Sequence, residues 1–337
     1  MSASVAKRND HLDFWKFIAA IGVILVHIPF PGAAGPNFAS IGLWGTIYFF
    51  LISGYACYGD KEKMGGKIIK RSKRNAKITF IIVAIYIVFT IVRKYIWERD
   101  VFPEFMQNFA DPVLYIRMIF LGDFELFRAD ALWYMVALLY NYIIFYLIVK
   151  YVPIKVVYIM LIPFLILRIG METYVNSFNG SWHLTANTIV GGTPIMLMGY
   201  AIAANKEKIQ KLSVRKLIAA TIVTVIIMLI TVNFKVGTID ISQPFKILTA
   251  TLIFLLAMRT PQLSYGKTIA KLGREDSLYI YLIHYLFIAI IEHYKSSMPL
   301  SETAVAWISP LIVIAVTIIA ARIITLISKR IDHKSAK

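Results

Sequence analysis

A lysine at position 16 and a histidine at position 27 stand in the otherwise apolar segment "LDFWKFIAAIGVILVH", Leu12 to His27. An ammonium group holds an anion, and an imidazole moves a proton near neutral pH. On a helix the i, i+11 spacing is three turns, so both side chains leave nearly the same face, about 16 Å apart along the axis. Each has an ordinary reading when taken alone. Lys16 is close enough to a helix end to snorkel, and His27, two residues before Pro29, suits an interface. Taken as a pair, they suit one elongated substrate, anionic at one end and reactive at the other.

Other polar residues repeat this pattern of chemistry inside apolar surroundings. Arg71 and Arg74 lie three apart in "KIIKRSKRNAKI", with Lys70 and Lys73 beside them. Arginines at that spacing share a helical face and can grip phosphate through forked hydrogen bonds; fixing topology is their simpler role. His284 sits midway along "YIYLIHYLF". An ionisable group at that depth is a candidate functional group by default, or else an interhelical hydrogen-bonding one. Glu172 and His183 flank the polar stretch "METYVNSFNGSWH", in which Trp182 offers a face for stacking a sugar. Asp111, Asp123, Glu125 and Asp130 neighbour Arg117 and Arg128, reading as a salt-bridged loop or an acceptor-binding rim. Arg322 lies deep in the last apolar run and takes no role.

The elements that position these groups follow from composition. Of 337 residues, 58% are hydrophobic and only 16% charged, against roughly half and a quarter in soluble domains. Apolar runs near the length of a bilayer crossing recur about ten times, at 12–31, 40–58, 78–97, 131–149, 153–170, 184–204, 215–234, 243–259, 276–293 and 303–328. The expectation is an all-α integral membrane protein: one polytopic bundle of about ten helices over 1–337, with no separate soluble domain. The net charge of +17 does not call for nucleic acid. Its basic groups, at 7–8, 61–77, 150–155, 206–216, 259–274 and 329–337, alternate with poorer loops. By the positive-inside rule that pattern puts both termini in the cytoplasm and makes the number of spans even. No cleavable leader is expected, since Lys16 interrupts any apolar core of one. The single cysteine, Cys57, excludes an intramolecular disulfide, and no metal motif, P-loop or dinucleotide fingerprint occurs, so no metal is expected. The lack of an evident internal repeat weakens an inverted-repeat transporter.

The first helix resembles the opening helix of the acyltransferase-3 family of integral membrane proteins, which places a basic residue, ten others and then histidine, as Lys16 and His27 stand here. The second helix, "YFFLISGYACYG", resembles the family's "FF-x-x-SG" segment through Phe49, Phe50, Ser53 and Gly54. Arg71 and Arg74 match its paired arginines, although the proline that usually follows is absent. "LWYMVALLYNY" is similar to its Leu-Trp helix opening, and "LGREDSLYIYLIHY" to its "S-x-x-x-YL-x-H" helix through Ser277, Tyr281, Leu282 and His284.

The resemblance implies a multi-pass protein, expected in a bacterial cytoplasmic membrane. It implies transfer of an acyl group, commonly acetyl from acetyl-CoA, onto a carbohydrate or lipid-linked acceptor at the far side. Arg71, Arg74 and Lys16 would hold the acyl-CoA. His27 would take the proton of the acceptor hydroxyl or carry the acyl group itself. Ser53, Trp133 and Tyr134 are candidate donors to the oxyanion, and Glu172 and His284 candidate substrate-site residues. Two other classes stay open at the level of sequence. A transporter of polysaccharide or small amino acids would show flux without CoA turnover. A sensory or scaffold protein would tolerate loss of His27.

Overall fold

Helix starts in this chain are set by short polar side chains. Asn9 accepts a hydrogen bond from the Leu12 amide at 2.8 Å, Asp60 from Lys63 at 3.2 Å and Asp111 from Val113 at 2.9 Å. Each satisfies a backbone donor that the first turn leaves open. The computed structural model describes residues 8–234, 236–263 and 265–335, with side chains described to Ile331. In chain order its helices are α1 (Asp10–His27), α2 (Ala34–Tyr55), α3 (Lys61–Trp97), α4 (Phe102–Ala110), α5 (Pro112–Leu121), α6 (Trp133–Tyr151), α7 (Ile154–Phe178), α8 (Thr193–Ala204), α9 (Lys206–Ile209), α10 (Val214–Asn233), α11 (Gln243–Arg259), α12 (Lys267–Glu275), α13 (Ser277–Tyr294) and α14 (Glu302–Ser335). A π-helical turn, Thr188–Gly192, precedes α8. Among the described residues there is no strand, only an isolated bridge between Val236 and Ile239.

The all-helical expectation holds, and among the described residues seven helices are long and apolar enough to cross a membrane: α2, α3, α6, α7, α10, α13 and α14. The other three expected spans fall short for separable reasons. Asp10, Asp13 and Lys16 load α1 with charge, α11 stops at 17 residues, and 184–204 is broken by the π turn ahead of the short α8. Only 11% of the apolar window of α7 is buried, and residues such as Ile159 and Ile162 lie on its open surface. Backbone groups satisfied within the helix and an apolar exterior are what lipid demands.

The chain divides into two compact units. Residues up to Phe49 and from Asn205 onward form the first; Phe50 to Ala204 form the second, so α2 contributes to both. In the first unit α1 packs on α12, α13 and α11, α13 packs on α14, and α10 on α11. Two close backbone approaches hold it: a Cβ at Gly273 of α12 would lie 1.8 Å from the Asp13 carbonyl oxygen of α1, and one at Gly42 of α2 would lie 2.1 Å from the Gly22 carbonyl oxygen. Small residues let helices close to backbone contact where lipid supplies no hydrophobic drive.

In the second unit α6 lies along α3, and α7 along α8. Asn75 on α3 donates to the Met135 carbonyl at 2.9 Å, fixing the register of the first pair. Arg168, buried in α7, donates to the Gly191 carbonyl at 2.6 Å and the Val190 carbonyl at 3.3 Å. It thereby satisfies carbonyls of the π turn, and its ion pair with Glu172 (3.3 Å) offsets its charge.

Candidate active site

In the first unit, α1 delivers His27 to α13. Its Nδ1 lies 2.7 Å from the Tyr285 hydroxyl, and its ring stacks on His284 with centroids 5.4 Å apart and planes 27° from parallel. His284 is fully buried, with Nδ1 2.7 Å from the Tyr281 carbonyl. A carbonyl can only accept, so Nδ1 of His284 carries the proton and Nε2 presents a lone pair. That Nε2 is buried and has no hydrogen-bond partner among the described residues. His27 also lines a cavity of about 560 Å³ formed with the residues after α1, the end of α13 and the start of α14. The sequence pointed to both histidines; it did not point to Tyr285, although that residue immediately follows His284 in the quoted motif.

Lys16 sits three turns away on α1, its Nζ 2.9 Å from an Asp13 carboxylate oxygen. Arg274 of α12 reaches Asp13 and Asp10, each at 3.5 Å. The expected cation is thus one member of a compensated cluster, and the signal for that was Asp13, at i, i+3 from Lys16. Next to it, Arg322 bonds Glu275 at 2.7 Å and Asp276 at 3.4 Å, while Lys329 bonds Glu275 at 2.8 Å. Arg322, left without a role by the sequence, ties α14 to the junction of α12 and α13. Partial burial would raise the Glu275 carboxyl, but Lys329 and Arg322 hold it down to about 2.

The second unit gathers a different set. Ser53 hydrogen-bonds the phenols of Tyr134 and Tyr142, and Arg71 hydrogen-bonds Cys57 and donates to the Ala56 carbonyl at 2.5 Å. The charges of Arg71 and Arg74 both act on Tyr142. Arg71 is half-buried, whereas Arg74, Lys70 and Lys73 are exposed. Four expected site residues, Ser53, Tyr134, Arg71 and Arg74, are therefore neighbours, with Tyr142 and Cys57 added. Tyr142 was legible as the residue two helical turns after Tyr134.

Trp133 and Glu172 belong elsewhere in this unit. Trp133 packs on Phe50 (centroids 6.0 Å apart) and against Gly191, where a Cβ would lie 3.0 Å from its ring. Glu172 is the partner of Arg168. Both support the π turn. In the loop region His183 Nε2 lies 3.4 Å from Glu125 and 3.8 Å from Asp123, close enough for these three to reach one ion. Protein groups already serve the acids: Arg117 pairs with Asp123, and Trp182 Nε1 donates to Glu125 at 2.9 Å. Trp182 stacks on His183, centroids 4.0 Å apart.

A family model described as an acyltransferase domain, that of the acyltransferase-3 family, matches residues 9–328, nearly the whole chain. The chain belongs to the acyltransferase-3 family. No curated protein and no solved structure matches it. Membership and seven apolar helices together make it a multi-pass membrane acyltransferase. The family match covers residues of both compact units.

Proposed function

We propose that this acyltransferase moves an acetyl group, or another short acyl group, from acyl-CoA at the cytoplasmic side of a bacterial cell membrane to a hydroxyl of a carbohydrate or lipid-linked acceptor at the far side. The observation that carries the reading is the His27–Tyr285 contact at the edge of a cavity, in a chain of this family. When Tyr285 accepts the Nδ1 proton of His27, Nε2 is left as a base, the arrangement a general base requires. The acceptor hydroxyl then adds to the thioester carbonyl while its proton passes to Nε2. Collapse of the tetrahedral adduct breaks the C–S bond, and the imidazolium returns the proton to the departing thiolate. Arg71 and Arg74 supply positive charge suited to the phosphates of CoA, and Lys16 adds a further cation along α1. In this reading α1, α11 and the π turn with α8 complete a bundle of about ten spans with cytoplasmic termini.

The test uses inverted vesicles carrying wild type or His27→Ala at matched expression, acetyl-labelled CoA outside and a crude glycolipid extract as acceptor. Transfer of label that disappears in His27→Ala is the expected result. Equal label loss from CoA in both would refute the assignment of the base. Ligand flux with no CoA turnover would replace the enzyme by a transporter.

A further inference from the structure

The cavity beside His27 has a charge balance of its own. Besides the imidazole it is lined by Glu292 and Lys295 from the end of α13 and the residues following it, by Glu302 and Ser309 from α14, and by apolar side chains that include Pro29. Lys295 Nζ lies 2.8 Å from a Glu292 carboxylate oxygen, so these two cancel. Glu302 has no ion-pair partner among the described residues. It stands in the first turn of α14, where the helix dipole favours negative charge. The lining is therefore one negative charge in excess. At about 560 Å³ the space falls in the range of small-molecule sites, about 300–1,000 Å³, and suits one or two sugar rings.

We infer that Glu302 selects the acceptor by charge: the cavity beside His27 takes a hydroxyl-bearing unit that is neutral or carries an amine, and discriminates against carboxylate- or phosphate-bearing units. This rests on the acyltransferase reading above. An ammonium group on the acceptor pairs with the Glu302 carboxylate, a neutral sugar donates a hydroxyl to it, and an anion meets repulsion with no free cation in the lining to offset it. Glu302 is exposed. Ion pairs at such positions are weak, so the selection amounts to about two- to fivefold.

The test measures label transfer from acetyl-CoA to the glycolipid extract by full-length protein in vesicles, competed by the methyl glycosides of glucosamine, glucose and glucuronic acid. Wild type is expected to be inhibited in that order, with the first and last about fivefold apart. Glu302→Gln should narrow the spread and Glu302→Lys should reverse it, each ranking being read relative to that variant's own uninhibited transfer. Transfer that proceeds while the glucuronide competes as well as the glucosaminide overturns the inference and leaves the acyltransferase reading standing. So does a ranking unchanged in Glu302→Lys, or a failure of all three to compete. Absence of transfer from acetyl-CoA in wild type removes the reading itself, and the inference with it.

Discussion

His27 Nδ1 and the Tyr285 hydroxyl meet at 2.7 Å, joining two residues 258 positions apart in sequence. This contact holds the His27 ring in place, and when the Tyr285 oxygen accepts the Nδ1 proton, Nε2 is the basic nitrogen. Tyr285→Phe removes the hydroxyl and keeps the ring, so kcat should fall about tenfold with the acceptor KM nearly unchanged. His27→Ala removes the base and should cost about 10²–10⁴-fold. The double variant separates the roles: a positioning residue has nothing left to position once His27 is gone, so Tyr285→Phe should add no further loss there. An additional tenfold loss in the double variant would show that Tyr285 acts independently.

His284 is distinguished by its two nitrogens. Asparagine can reproduce the Nδ1–H bond to Tyr281, whereas it offers nothing where Nε2 lies. His284→Asn should therefore fold with a Tm within a few degrees of wild type and lose at least tenfold in kcat if the buried lone pair takes part in turnover. Full activity in that variant would assign His284 to packing against His27.

What the sequence revealed and what it hid divide along one line. Short-range relations were legible: helix positions from apolar length, the shared face of Lys16 and His27 from their spacing, and the neighbourhood of Arg71 and Arg74. Asp13 beside Lys16 and Tyr142 two turns beyond Tyr134 were equally local signals and went unread. Long-range relations left no periodic trace. Nothing in the spacing of α1 or α13 says that Tyr285 reaches His27, because that contact depends on helix rotation set by packing. The roles of Trp133 and Glu172 were hidden for a related reason. The irregular turn they support, Thr188–Gly192, lies inside an apolar run that reads as a continuous span.

Glu275 gives the fold an acid-sensitive joint. Its carboxyl is held at about 2 by Lys329 and Arg322, against about 4.3 for a free glutamate in the unfolded chain. A depressed folded value means that the stabilisation is complete above about pH 4.3 and is lost as pH falls towards 2. In detergent, wild type should unfold at a higher temperature than Glu275→Gln near pH 6, and the two should converge as pH approaches 2. A gap that stays constant across that range would mean the ion pairs with α14 contribute nothing.

Arg71 and Arg74 differ in what they hold, and that makes them separable. Arg71 is engaged with Ala56 and Cys57 inside its unit, so Arg71→Gln removes structural hydrogen bonds and should lower Tm. Arg74 is exposed, and Arg74→Gln should leave Tm unchanged. If its guanidinium meets a CoA phosphate, the KM for acetyl-CoA should rise about tenfold, the size of one charge-assisted hydrogen bond near the lower end of its range. Acetyl-CoA lacking the 3′-phosphate identifies which phosphate is involved. If that group is the partner, wild type with the truncated donor should match Arg74→Gln with the full donor, and the two losses should not add. Losses that multiply would place Arg74 on the diphosphate, and an unchanged KM in Arg74→Gln would return this arginine to setting topology alone.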